Sequence, residues 1–313
     1  MSRTRLSTYT APPAEVARAL DALRAQYEVP AAFPPEALAE AEAAATAWAQ
    51  DGPARLLADG ARDARDLDLV TIDPPGSMDL DQAVLLERLP ARTIRAGEAT
   101  GEAPGPAATY RVRYAIASLA TFVVPGGALD AELRRRGETI YAPDAATPLH
   151  PEVLSHGAAS LLQDAERPAC LWTIDLDERG EVVSARVERA LVRSRARLSY
   201  AQVQDAIDRE DALPQEVPAD LPELLAEIGR LRLEREAARG GISMTTPEQV
   251  VEVTEVPHAA EATEPTSLTG EAADPDSAES PGPAGYRLAY RVPVPAEQYN
   301  AQISLLTGMC AAR

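Results

Sequence analysis

Apolar positions follow a helical period at the start of the chain and a strand period after it. Val16, Leu20, Leu23 and Tyr27 recur at helical spacing behind Pro12-Pro13, which suit a first turn. Pro34-Pro35 opens a second helix with Leu38, Ala41, Ala45 and Trp48 on one side, predicted to close at Asp51-Gly52-Pro53. A third, short helix is expected from Pro53 to about Ala64. Three short helices fit a helix-turn-helix-like module, and more readily a plain packing cap. From Leu67 the period changes. Leu67-Asp-Leu-Val-Thr-Ile72 and Ala83-Val-Leu-Leu86 read as strands, and Tyr110, Val112, Tyr114 and Ile116 alternate as on a half-buried one. Leu171 to Leu176, Glu181 to Arg197 and Tyr286 to Val294 are further extended stretches around the turn Asp177-Glu-Arg-Gly180. Helical patterns return at Ala201 to Asp208, Leu221 to Arg239 and from Pro295, whose helix carries Tyr299, Ile303, Leu306 and Cys310.

This division predicts an α+β fold, a mixed or antiparallel sheet packed by helices, behind a small helical module. The module is placed at residues 1–66 and the larger domain at 67–313, with inserted loops at about 90–108 and 258–285. The last helix has no stop signal before Arg313, which predicts that the larger domain is C-terminally incomplete.

Composition narrows the class. No run of about 18 apolar residues is present, so no membrane-spanning helix is expected. The N-terminus has no apolar core before a small-residue cleavage site, and Cys170 and Cys310 fit no metal-ligand spacing. A reducing cytoplasm is the expected location. The net charge of -19 argues against a nucleic-acid partner until it is mapped. Nine of the excess acids lie between Gly240 and Tyr286, where there is no Lys or Arg.

The candidate chemistry lies in Asp73-Pro-Pro-Gly-Ser-Met-Asp79-Leu-Asp81. Asp79 and Asp81 are two apart in an extended segment, so both leave one side while Leu80 faces the other. Pro74-Pro75-Gly76 is a turn able to fold Asp73 back beside them. Three carboxylates so gathered repel, and a hard cation such as Mg2+ resolves the conflict with oxygen ligands. A D-x-D pair beside a Pro-Gly turn is by itself more often a solvated loop. A calcium loop would want an acid where Val84 stands, and a phosphatase with an aspartyl nucleophile would want a parallel α/β pattern.

Thr71-Ile-Asp-Pro-Pro-Gly-Ser-Met-Asp-Leu-Asp-Gln-Ala83 resembles the active-site strip of the ribonuclease II (RNB) family of 3′-to-5′ exoribonucleases. The likeness continues in order through Tyr114-Ala-Ile-Ala-Ser118, Val124 to Asp130, Arg136 to Tyr141 and Pro148 to Ser155. It resumes at Val192 to Tyr200, at Arg239-Gly-Gly-Ile242 and at Asn300 to Leu306. The resemblance implies a metal-dependent exoribonuclease that hydrolyses single-stranded RNA to nucleoside 5′-monophosphates, with Mg2+ or Mn2+ as cofactor. Asp73, Asp79 and Asp81 match three of the family's four acidic residues, and Gln82 stands in place of the fourth. A neutral amide at that position still offers a carbonyl oxygen but no charge. Tyr141 matches an aromatic residue that stacks on a base, and Arg193, Arg195 and Arg197 alternate as a row for phosphates. Arg134-Arg-Arg136 reads as a solvated helix face, and His156 as a structural hydrogen-bonding residue. The family's C-terminal half, with its active-site Arg, lies outside this sequence, so a separate chain or a missing segment is expected to complete the domain. Two other readings stay open: an RNA-binding remnant without activity, and a protein-interaction adaptor built on the helical N-terminus and the acidic insertion.

Overall fold

The computed structural model describes residues 5–6, 14–30, 32–90, 107–209, 211–243, 247–254 and 285–312. The two inserted loops expected at about 90–108 and 258–285 lie almost wholly outside them. In chain order the elements begin with β1 (Arg5–Leu6), α1 (Ala14–Gln26), α2 (Pro35–Ala58), β2 (Arg62–Asp73), β3 (Gln82–Arg88) and β4 (Tyr110–Ala117). They continue with α3 (Ala128–Arg136), β5 (Ile140–Tyr141), β6 (Ala146–Thr147), β7 (Glu166–Leu176) and β8 (Val182–Ser199). The last are α4 (Tyr200–Asp208), α5 (Leu221–Ala238), β9 (Glu248–Thr254), β10 (Gly285–Arg291) and α6 (Pro295–Ala311).

The chain forms two compact units. One gathers residues 33–137, 150–245 and 293–313; the other gathers 1–32, 138–149 and 246–292. In the second, β1, β9 and β10 form a three-stranded sheet in that order and β5 pairs with β6. Helix α1 falls in the second of these units and α2 in the first.

The first unit is built on a closed barrel, β2-β3-β4-β7-β8. Successive pairs are antiparallel, and a parallel pairing of β2 with β8, running to Asp73 beside Ser199, closes the ring. Strand β3 reads as a continuous apolar run because both of its faces are buried from Ala83 to Leu86. Alternate residues Val84 and Leu86, Tyr110, Val112 and Tyr114, and Ile174 and Leu176 pack with Leu224, Ile228, Ile303 and Leu306 of α5 and α6. The intervening Ala83, Leu85, Ala115 and Leu171 join Leu69, Leu80 and Val192 in a second cluster. Helices α5 and α6 touch closely. A Cβ on Gly229 would meet the Tyr299 side chain at 2.5 Å, so only glycine allows this approach.

Two expectations are corrected. Helix α2 runs through Gly52 and Pro53 without a break, and residues 62–64 belong to β2, so there is no third short helix. An internal proline removes a helical hydrogen bond at a cost of about 3 kcal/mol. Burial of Ala37, Ala41, Trp48 and Leu56 against Phe122, Leu129 and Leu154 offsets that cost. Nor is Arg134-Arg-Arg136 wholly a solvated face. Arg134 and Arg135 are exposed, but Arg136 is buried, pairs with Glu132 at 2.8 Å and stacks 3.6 Å from the centre of the Phe33 ring.

Helix α2 also caps α3. The Glu40 carboxylate accepts the amide N–H groups of Ala128 and Leu129 at 2.8 and 2.9 Å, at the positive end of the α3 dipole. The Leu129 bond first, then that of Ala128, holds the Glu40 carboxyl below the ordinary carboxylate range. A depressed folded-state pKa contributes stability that is full above the unfolded value and lost as pH falls through the folded one. Thermal midpoints between about pH 6 and about pH 3 are therefore expected to fall less steeply for Glu40→Gln than for the wild-type chain. Parallel curves would show that the cap contributes nothing.

Candidate active site

The aspartate strip is the connection between β2 and β3, and its backbone is tied down. Strand β2 ends at Asp73; the chain turns through Pro74 to Gly76, where Ser77 N–H donates to the Pro74 carbonyl at 3.2 Å. Gly76 has φ +85°, a conformation that favours glycine. Beyond the turn, the buried Ser160 hydroxyl donates to the Met78 carbonyl at 2.6 Å and accepts the Leu80 N–H at 3.1 Å. The Leu80 carbonyl accepts Leu161 N–H at 2.7 Å, and the Asp81 carbonyl accepts Ala117 N–H at 2.9 Å. Leu80 itself is fully buried. Asp79 and Asp81, on either side of it, are exposed, while Asp73 and Gln82 are half-buried.

A cavity of about 30 Å3, room for roughly one water, lies between the ends of β2 and β3. Asp73, Gln82, Tyr114, Tyr200 and Asn300 supply its polar lining. The Tyr114 hydroxyl donates to the Gln82 side-chain carbonyl, which occupies one lone pair of that oxygen. Asn300 Nδ2 donates to the Tyr200 hydroxyl at 3.4 Å. Burial raises the Tyr114 pKa, and the charges of Asp81, Tyr200 and Asp73 push the same way against a hydrogen bond from Ser304. Tyr114 thus stays protonated, with Asp73 and Asp81 both within electrostatic reach of its hydroxyl.

For a hard divalent cation the donor set has the right chemistry, since every candidate ligand atom is oxygen. Its positions are less complete. Among the described residues, no three His, Cys, Asp or Glu side chains gather into a group that could hold a metal ion. The strip therefore presents its carboxylates on one pinned segment without closing them into a cage.

The arginine row alternates as its spacing predicts. Arg193, Arg195 and Arg197 are half-buried on β8, and Ser194, Ala196 and Leu198 between them are buried. Their surroundings differ. Arg197 reaches the strip, with Nη1 3.7 Å from the Met78 sulfur. Arg195 pairs with Asp68 at 3.2 Å and donates to the Arg65 carbonyl at 2.9 Å. Arg193 lines an open recess with Asp63, Arg65, Asp66 and Glu166, and its Nε is buried without a partner. Tyr141 belongs to the other compact unit, where it stands 43% exposed on β5.

Tyr114, Tyr200, Asn300 and Ser160 complete the surroundings of the strip; the first three stand in stretches that carry the family likeness, but the sequence assigns none of the four a role. Tyr114 reads there as one more half-buried strand residue. Only the β3–β4 register, Gln82 opposite Ile116, brings it diagonally to Gln82. Tyr200 follows the Ser199 N-cap, whose capping box with Gln202 is a recognisable helix start.

Comparison with known proteins finds relatives over most of the chain. A family model described as the RNB domain matches residues 61–273. Ribonuclease R of Acidithiobacillus ferrooxidans is 32% identical over 200 residues, covering 64% of this chain and 40% of that protein. An Arabidopsis thaliana protein named an inactive exonuclease is 34% identical over 147 residues, 47% of this chain and 12% of its own length. The structure of Mycoplasma genitalium RNase R in complex with ribose methylated single-stranded RNA has a similar fold. Its TM-score is 0.60 at 22% identity, over 78% of this chain and 31% of that one. The chain spans two fifths or less of the length of these proteins.

The role of Ser160 in pinning the strip is open to measurement. Ser160→Ala leaves the Leu80 N–H without its partner, at a cost of about 1–3 kcal/mol in urea denaturation. Faster hydrogen exchange at the Leu80 amide is expected with it. An unchanged midpoint and unchanged exchange would show that the strip is held by other bonds alone.

Proposed function

The chain belongs to the RNB family, and on that premise we propose that it hydrolyses single-stranded RNA from the 3′ end, releasing nucleoside 5′-monophosphates with Mg2+ or Mn2+ as cofactor. The observation that carries this is the pinned strip: Asp79 and Asp81 exposed on either side of buried Leu80, with Asp73 at the end of the adjoining strand.

In this proposal Asp73, Asp79 and Asp81 hold the metal, with Gln82 contributing at most a neutral oxygen. A divalent cation held by these residues would supply Lewis-acid polarisation of the phosphodiester and a lowered pKa of bound water. The chain's own residues bind and orient the strand. Arg197, beside Met78, offers a guanidinium to a backbone phosphate, and Arg193 and Arg195 extend the row along β8. Tyr141 offers an exposed ring on which a base can stack. The Tyr114 hydroxyl fixes the orientation of Gln82 through its carbonyl, which leaves the amide N–H groups as donors.

Binding of RNA without cleavage is the second reading. It is favoured by the neutral Gln82 and by the lack of a three-carboxylate cluster among the described residues.

Incubation of the chain with a short 5′-labelled RNA separates the two. Stepwise shortening in Mg2+ or Mn2+, abolished by EDTA, is expected. Loss of groups merely supporting a ligand costs about 10–100-fold, so Asp81→Asn is expected to slow trimming by more than about a hundredfold while RNA binding persists. Binding without trimming in either ion establishes the second reading, and trimming that survives Asp81→Asn removes the site assignment. For the arginine row, Arg197→Gln is expected to lower the slope of log affinity against log salt by about 0.7. An unchanged slope would exclude a phosphate contact at Arg197.

A further inference from the structure

The turn between β7 and β8, helix α5 and the last turns of α6 enclose a recess of about 320 Å3, at the lower end of the roughly 300–1,000 Å3 of small-molecule clefts. None of the strip's residues lines it. Arg232, Arg235 and Arg239 do, together with Glu181, Met309 and Cys310. Spacing of three and four residues puts the three arginines on one face of the end of α5.

These guanidinium groups outnumber the carboxylates beside them among the described residues. Arg232 is 3% exposed, and its Nη1 donates to the Gly180 carbonyl at 2.7 Å. Among the described residues, its Nη2 meets the Met309 sulfur at 3.7 Å, a weak acceptor, and its Nε is buried without a partner. Arg235 reaches Glu181 at 3.2 Å through Nη1, and its Nε is likewise buried without a partner. Arg239 is exposed at the helix end and forms no ion pair among the described residues. Glu236 on α5 accepts hydrogen bonds from Ser243 at 2.6 Å and Gln302 at 2.5 Å; these neutral donors leave its negative charge in place, and the Arg239 charge acts on it. Among the described residues, three guanidinium groups thus face two carboxylates, those of Glu181 and Glu236. Burial first, and then the charge of Arg239, holds the Arg232 pKa below its ordinary value against the opposing charge of Glu181.

We infer that this recess is an oxyanion site that takes a phosphate group, either free or as the 5′-phosphate of a nucleotide. Guanidinium forks match the oxygens of phosphate better than any other side chain does. The wall is also preorganised. Asp177 Oδ1 accepts the N–H groups of Arg179 and Glu181 at 2.9 and 2.8 Å, fixing the turn whose Gly180 carbonyl anchors Arg232. This inference does not rest on the RNA-cleavage proposal, since it uses none of the same residues.

Titration of the full chain with inorganic phosphate and with adenosine 5′-monophosphate tests it. EDTA is present and ionic strength is held constant with chloride. Saturable binding is expected in the wild-type chain and equally in Asp81→Asn. Affinity is expected to fall tenfold or more in Arg239→Gln, whose exposed side chain is not needed for folding, and further when Arg235→Gln is added. Equal affinity for the two probes identifies a free oxyanion, and tighter binding of the nucleotide identifies a nucleotide phosphate; either supports the site. Two results overturn it: no phosphate binding beyond the chloride control, or binding that is unchanged in folded Arg239→Gln.

Discussion

Burial of Leu80 fixes where the carboxylates of this protein can stand. Its side chain lies in the cluster with Leu69, Leu85 and Val192, while its N–H and carbonyl are taken by Ser160 and Leu161. In an extended segment a buried residue forces its two neighbours outward, and here those neighbours are aspartates. Exposure of Asp79 and Asp81 is therefore a by-product of core packing. Charges that would be costly to bury are kept at the surface by an apolar side chain that would be costly to expose. The barrel makes this possible, since Ala117 on β4 and the segment after the π-helical turn at Val153–Ala158 both reach the strip to bond its backbone.

A net charge of -19 does not describe the electrostatics near these sites. Much of the excess acid lies in a segment without basic residues, and many arginines elsewhere are already neutralised at short range. Arg111 pairs with Asp175 at 2.7 Å, Arg113 with Glu87 at 2.8 Å and Arg65 with both Asp63 and Glu166. What distinguishes Arg197 at the strip and Arg239 at the end of α5 is position: each has a polar head beside a site and no ion pair among the described residues. Local imbalance of this kind governs where an anion can bind, and the total charge does not.

Much of the fold is legible in the sequence because period is a local property. The strands around Val84, Val112 and Ile174 and the helices from Tyr200, Leu221 and Pro295 all stand where alternation or helical spacing puts them. What could not be read depends on partners distant in sequence. Pro53 reads as a stop, and only Phe122, Leu129 and Leu154 packing on the same helix carry α2 past it. Arg136 reads as solvent-facing until Phe33, about a hundred residues earlier, supplies the ring beneath it. The strip follows the same division. The outward pair Asp79 and Asp81 is a two-residue rule, whereas the bond from Tyr114 to Gln82 requires the register of β3 against β4. Closure of the sheet by the parallel pairing of β2 with β8 was likewise invisible, because no single strand carries a mark of its second neighbour.

That closure has a consequence for how the protein behaves in concentrated solution. Each barrel strand has two hydrogen-bonded neighbours, so the ring presents no open ladder to another molecule. Among the described residues, the three-stranded sheet of the other unit is not closed, and β10 is one of its borders. Leu288 and Tyr290 stand on β10 with 53% and 65% of their surfaces exposed. Among the described residues, β10 is therefore the longer open border at which another strand could pair. A charged residue in place of Leu288 would be the economical way to suppress such pairing without touching the barrel.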